Sequence, residues 1–339
     1  MRVGILVLNF GGPWSLADVR PFLYRLFANP RVLVGIPSPL RQLLAFTIAQ
    51  VKGPSSIKSY RAIGGGSPQL RWTETQAEGL RSLLDRRFVR VEIGMRSAHP
   101  SIATALGRLK FWGATDIVLL PLFPQFSTTT TGTCFDEVNA VLKELNWKPR
   151  MREISSWPDH PLYIRLLRES ANEAIVEAEA RRNGDRDPVH VLFSAHSLPM
   201  KIVKLGDPYP NEVERTIQAV TRGLKQPWSL AYQSRNGRLP WLQPYLEDEL
   251  KRLGHAGVSN VVVVPISFVS DHIETLFELD QLYAGVAKEH GITYYRRARC
   301  FNSDPMFSQL LYSLLKELDD DVALFGNDYQ KEFAEAVIA

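Results

Sequence analysis

The chemistry-bearing residues of this chain sit just beyond short apolar runs. Val189 to Pro199 reads Val-His-Val-Leu-Phe-Ser-Ala-His-Ser-Leu-Pro. Val191-Leu192-Phe193 is short, partly β-branched and flanked by turn-prone residues, as a buried strand should be. Ser194 and Ala195 follow, then His196, and Pro199 stops any continuation. A histidine past the carboxyl end of a parallel strand lies where open α/β sheets bind ligands. There an imidazole can ligate a metal or move a proton. The alternative is a core histidine bonded to a backbone carbonyl.

A second cluster follows a second strand. Val261 to Val264 is all valine, and Asp271, His272, Glu274 and Glu278 come soon after it. A helix is predicted from Asp271. Asp271 and Glu274 have the spacing of a capping box, so the two carboxylates need do no more than cap. Asp271, Glu274 and Glu278 also share one helical face. Like charges at this spacing cost a helix only about 0.2–0.5 kcal/mol. The row therefore suits a solvated surface, and it is equally what a cation path would need. If the two strands are neighbours, His196 and Glu274 face each other across one crevice. One imidazole and a few carboxylates suit a borderline divalent metal such as Fe²⁺. They are too few for a structural zinc site. Leu282 ends the acidic row on an apolar residue.

The elements that must position these groups form an internal repeat. Gly113-Ala-Thr-Asp-Ile-Val-Leu-Leu-Pro-Leu122 lines up with Gly257-Val-Ser-Asn-Val-Val-Val-Val-Pro-Ile266 without a gap. Val3 to Pro13 resembles Val189 to Pro199, and Val91 to Arg96 resembles Leu230 to Arg235. Helical periodicity fills the intervals at Ser101–Trp112, Leu162–Arg181, Pro244–Leu253, Ile273–Lys288 and Met306–Leu318. Strands alternating with helices imply parallel sheets covered on both faces. The expected fold is α/β, with two similar Rossmann-like domains, each a parallel sheet flanked by helices, and a cleft between them. Residues 1–150 would form the first domain and 151–304 the second, which carries the metal site. Residues 305–339 would pack back on the first. Gly64-Gly65-Gly66 follows no clear strand and has no Walker lysine, so it reads as a tight turn before a helix starting near Thr73.

Bulk composition narrows the class. The chain has 339 residues, 45% hydrophobic and 22% charged, with a formal charge of +4. That suits a globular protein with an anionic ligand or lipid surface, and it argues against nucleic acid. Two cysteines, Cys134 and Cys300, cannot build a four-cysteine cluster and fit a reducing cytosol. The first strand starts almost at Met1, and no apolar run is long enough to span a membrane. A cytoplasmic location is expected.

Six motifs carry a resemblance. Leu8-Asn-Phe-Gly-Gly-Pro13, Ile63-Gly-Gly-Gly-Ser-Pro68, Phe193-Ser-Ala-His-Ser-Leu-Pro199, Gly206-Asp-Pro-Tyr-Pro210, Pro240-Trp-Leu-Gln-Pro244 and Ser270-Asp-His-Ile-Glu-Thr-Leu276 resemble the ferrochelatase family, in order, to about Leu318. The protohaem-forming branch is the nearer. The resemblance implies insertion of Fe²⁺ into protoporphyrin IX in an interdomain cleft, with His196 and Glu274 as catalytic and metal-site residues. Asp271, His272 and Glu278 would form the polar row. Phe10, Phe126, Trp241 and Phe268 would stack on the macrocycle, and Arg96, Lys52 and Ser67 would meet its propionates. No cofactor beyond substrate iron is implied. Leu282 puts a longer acidic relay in doubt, Ser97 replaces an aromatic of the animal pocket, and no iron–sulfur cluster is expected. Residues 31–52, apolar with Arg31, Arg41 and Lys52, would form a lip that touches an anionic membrane surface.

Overall fold

A computed structural model describes residues 2–181, 188–237 and 239–318. The chain runs through β1 (Val3–Asn9), α1 (Val19–Phe27), α2 (Ser38–Ala62), α3 (Gln69–Ser82), β2 (Val89–Met95), α4 (Ile102–Trp112), β3 (Asp116–Pro121), α5 (Thr131–Glu144) and β4 (Arg150–Glu153). It continues through α6 (Pro161–Ala180), β5 (His190–His196), α7 (Met200–Lys204), α8 (Tyr209–Val220), β6 (Trp228–Gln233), α9 (Leu246–His255) and β7 (Asn260–Pro265). A π-helix (Glu274–Tyr283), α10 (Ala284–Glu289), β8 (Tyr294–Arg297) and α11 (Pro305–Glu317) complete the described part.

Two four-stranded sheets share one topology, β2-β1-β3-β4 and β6-β5-β7-β8. Every pairing is parallel. The three repeats read from the sequence are thus equivalent strands of the two sheets. Alternation along each strand sorts the core into layers. Val3, Ile5 and Val7 of β1 face a central cluster, together with Val262 and Val264 of β7. Leu6 and Leu8 face the opposite way, onto α4 and α5. Val261 and Val263 likewise pack against α9, Leu279 and Tyr283. The central cluster runs through both halves, and Leu310, Leu311, Leu314 and Leu315 of α11 belong to it. That helix lies against both α3 and α6. It therefore touches both halves, and the expectation for residues 319–339 lies outside the described residues.

Local signals explain most boundaries. Ser101 caps α4, its hydroxyl accepting from the Thr104 amide at 3.1 Å, and Gly113 ends that helix at φ +83°, a left-handed stop that glycine takes without steric cost. Gly64 and Gly65 both have positive φ and form the expected turn. The helix after it begins at Gln69 rather than near Thr73.

The two halves are joined by polar side chains at the base of the cleft. The Gln125 amide is bonded within reach of the Tyr163 hydroxyl, the Thr216 hydroxyl (2.9 Å) and the Ile266 carbonyl (3.1 Å). Asp207 accepts from the Ser127 hydroxyl, the Thr128 amide and hydroxyl, and the Tyr209 amide. Glu212 accepts from the Phe126 amide and the Ser156 hydroxyl. Buried carboxylates and amides satisfied in this way fix one arrangement of the loop after β3.

Candidate active site

Both sheets turn their carboxyl edges toward one cavity of about 520 Å³, within the usual range for small-molecule sites. From the first half, Asn9 ends β1 and Phe10 follows it, and Leu122 and Phe123 follow β3. From the second, His196 ends β5, Ser234 follows β6, and Ser267 and Phe268 follow β7. Phe22, Leu23, Leu26 and Phe27 of α1 make an apolar wall, faced with hydroxyls by Ser55, Ser56, Ser59 and Tyr60 of α2.

His196 is half-buried, and its Nδ1 lies 2.5 Å from the Ser197 carbonyl oxygen. A carbonyl only accepts, so Nδ1 carries the hydrogen and Nε2 is left as the basic nitrogen of the neutral ring. The ring stands edge-on to Phe268, with centroids 6.2 Å apart, and Phe268 in turn meets His272 at 4.5 Å. His272 Nε2 is 3.4 Å from Glu274 Oε2. Burial holds the His272 imidazole below its ordinary pKa despite the neighbouring carboxylates of Glu274 and Asp271. Its Nδ1 is buried and has no hydrogen-bond partner in the described structure. Glu278 accepts from the Ser234 hydroxyl at 2.5 Å and the Gln233 amide at 3.1 Å. Burial, and then the nearby Glu274 charge, push its carboxyl up to about 7. A buried carboxyl beside a second carboxylate is where such a shift is expected.

The helix that carries the acidic row differs from the expected one. It starts at Glu274 rather than Asp271 and is π-helical over ten residues. The wide turn brings Glu274, Glu278 and Leu282 to the cavity, while Leu279 and Tyr283 pack on the outer face of the second sheet. Asp271 is turned away from the cavity. It accepts from Asn302 Nδ2 (2.7 Å) and the Thr275 hydroxyl (3.0 Å), and pairs with Arg297 (3.1 Å). It neither joins the row nor caps through a Glu274 amide. Its contacts are structural ones that the α-helical spacing hid.

Among the expected ring-binding residues, Phe10, Lys52, Ser67, Trp241 and Phe268 line the cavity. Arg96 does not: its Nε donates to the Thr133 carbonyl (3.2 Å) and Nη1 lies 3.7 Å from Glu137, holding it against α5. Phe126 also lies off the cavity, in the loop fixed by Glu212. Lys52 donates to Asn236 of the second half, and burial lowers its pKa. Arg31 pairs with Asp136, and Arg41 donates to the Ala28 and Ile36 carbonyls. Both guanidiniums are thus engaged within the protein. Tyr60, Gln233 and Ser234 are not among the residues that the sequence motifs mark. The repeat places Ser234 near a strand end, and its φ of +66° is the strained backbone often found at sites. Tyr60 sits on a helix without a clear apolar stripe, and nothing in the sequence marked it.

No described helix is long and apolar enough to cross a membrane.

The chain is similar to known proteins. A family model for ferrochelatase matches residues 2–318. A ferrochelatase of Synechococcus sp. (strain RCC307) is 42% identical, covering 95% of this chain and 86% of its own. Another, from Synechococcus sp. (strain JA-3-3Ab), is also 42% identical and covers 93% of each chain. Among solved structures, SirB from Bacillus subtilis with Fe³⁺ matches with a TM-score of 0.52 at 11% identity, over 94% of this chain and 96% of that one. The sirohydrochlorin chelatase SirB from Bacillus subtilis subspecies spizizenii, in complex with cobalt, matches with a TM-score of 0.53 at 11% identity, over 95% and 97%. The structural matches, at that identity, establish the chelatase fold. The family match spans both sheets, the cavity between them and the π-helix, and by it this chain belongs to the ferrochelatase family.

Proposed function

We infer that this protein is a lyase that inserts Fe²⁺ into protoporphyrin IX, forming protohaem with release of two protons. The observation that carries the reading is one apolar-walled cavity that holds His196, His272, Glu274 and Glu278 on its second-half side. Replacing two pyrrole protons by one dication needs a base and a donor for the metal. His196 Nε2 is the base this reading assigns, its tautomer supported by the Ser197 carbonyl. Glu274, backed by neutral His272, is the assigned metal ligand. Glu278 can gain or lose a proton near neutral pH. That suits a group which relays protons away from the ring. The reading invokes no resident cofactor.

The cavity walls favour a dicarboxylate tetrapyrrole. Lys52 is the one Lys or Arg among the described lining residues, and Ser67 stands in the same wall. One ammonium with several hydroxyls suits two propionates better than four. The Phe22, Leu23, Leu26 and Phe27 wall suits methyl and vinyl edges. Phe10, Trp241 and Phe268 supply the aromatic faces. The lip is supported by apolar groups rather than by cations. Leu43 is 64% exposed and Val51 74% exposed, and Leu40 and Phe46 are exposed on the same helix. Such a surface suits peripheral contact with a bilayer that also dissolves the porphyrin.

The test is an anaerobic mixture of the purified protein with protoporphyrin IX and Fe²⁺. Conversion of the free-base porphyrin spectrum to that of haem is expected. Porphyrin that binds but stays metal-free would refute the reading in favour of a carrier.

A further inference from the structure

The π-helix that carries Glu274 and Glu278 is bracketed by a single guanidinium. Arg297 ends β8, and its side chain is only 10% exposed. Its Nε and Nη2 make a fork onto the two oxygens of Asp280, at 2.7 and 2.9 Å. Its Nη1 reaches Asp271 Oδ1 at 3.1 Å. Asp271 precedes Glu274, and Asp280 follows Glu278 inside the π-helix. Asn302 locks the first of these anchors further. The Asp271 amide donates to Asn302 Oδ1 at 2.8 Å, and Asn302 Nδ2 returns to Asp271 Oδ2 at 2.7 Å. Neither Arg297, Asp271 nor Asp280 lines the cavity.

π-Helices mostly occur as single-turn bulges. Ten consecutive residues in that form therefore need support from outside the helix. A relaxed α-helix would wind at 3.6 residues per turn. It would swing Glu278 and Leu282 round the axis relative to Glu274. A planar guanidinium with a bidentate fork and a third donor suits a clamp across such a segment, where a lysine ammonium would not.

We propose that Arg297 is a positioning residue for metal entry: by tying Asp271 to Asp280 it holds the π-helical register that aims Glu274 and Glu278 into the cavity. The proposal rests on the ferrochelatase reading above. It assigns the clamp a larger effect on iron than on the macrocycle, because both carboxyls ride on the clamped segment while most of the aromatic and apolar wall belongs to other elements.

The test measures anaerobic insertion kinetics and, separately, porphyrin affinity by fluorescence titration. Asp280→Asn is the first variant, since it leaves Arg297 paired with Asp271 and no buried cation alone. The KM for Fe²⁺ should rise on the order of 10–100-fold, the usual effect of losing a partner that orients a metal ligand. The porphyrin Kd should stay within about twofold of wild type. Arg297→Lys should give a similar split, and the double variant should fall short of the sum of the two effects. An unchanged iron KM in folded Asp280→Asn protein overturns the proposal. So does a porphyrin Kd that worsens in step with the iron KM, which would mean general loosening. A wild-type protein that binds porphyrin without metallating it overturns both readings, and that failure shows before any substitution is made.

Discussion

Glu278→Gln should make the protein more stable in mild alkali and leave it unchanged in mild acid. Burial and the Glu274 charge raise the Glu278 carboxyl from 4.5 to about 7. At about 1.4 kcal/mol per pKa unit, the full shift corresponds to roughly 3 kcal/mol. The residue lies on a cleft that admits water, so a cost of about 1–2 kcal/mol is the better expectation. The sign follows from proton counting. Below 4.5 the carboxyl is protonated in both states and contributes nothing. As pH rises toward about 7 the unfolded chain releases its proton first, so the native protein loses stability over that window. Above about 7 the whole penalty is present. Glutamine never ionises, and its carbonyl can still accept from the Ser234 hydroxyl. Thermal melts at about pH 5 and about pH 8 provide the assay, read as the difference between variant and wild type at each pH. A gain of about 1–4 °C is expected at the higher pH, with little or none at the lower. An equal gain at both, or a loss at the higher pH, would show that the Glu278 charge is not strained in the native cleft.

His196→Ala should lower kcat for iron insertion by at least about 100-fold, the scale of a lost general base, while the porphyrin Kd moves by less than about twofold. Full activity in that variant would end the assignment of Nε2 as the base. Leu43→Ser combined with Phe46→Ser removes two exposed apolar groups from α2. At about 1.5 kcal/mol or more for each side chain buried in lipid, partition onto anionic phospholipid vesicles should fall roughly 100-fold. Insertion with detergent-dispersed porphyrin should be unchanged, and vesicle binding that persists would place the contact elsewhere.

Strand-level features were legible because parallel strands buried on both faces read as near-continuous apolar runs. Val261 to Val264 shows this: neighbouring valines face opposite layers, so no polar residue breaks the run. The repeat then ordered the strands, and strand order put His196, Ser234 and Phe268 on one edge. Residues whose role depends on the path of a side chain were harder to place. Arg96 follows β2, yet its guanidinium turns onto α5 because the Thr133 carbonyl and Glu137 lie within reach. Nothing in the local sequence separates that outcome from a propionate contact.

The acidic row shows where a helical period misleads. Counted at 3.6 residues per turn, Asp271 belongs with Glu274 and Glu278. In the structure Asp271 lies ahead of the helix and faces Arg297 and Asn302, while Glu274, Glu278 and Leu282 reach the cavity. The two carboxyls that remain in the cavity are then unequal. Glu274 stands beside His272, whereas Glu278 has only hydroxyl and amide donors and is held near neutrality by burial and by Glu274 itself. Two carboxyls in such different surroundings suit different roles. An α-helix with the same sequence would carry Glu278 and Leu282 past a full turn from Glu274, to the other side of it, where the π winding stops short of one. The π winding, and the Arg297 clamp that brackets it, are therefore what turn an ordinary run of surface-like acids into a graded pair inside an apolar cleft.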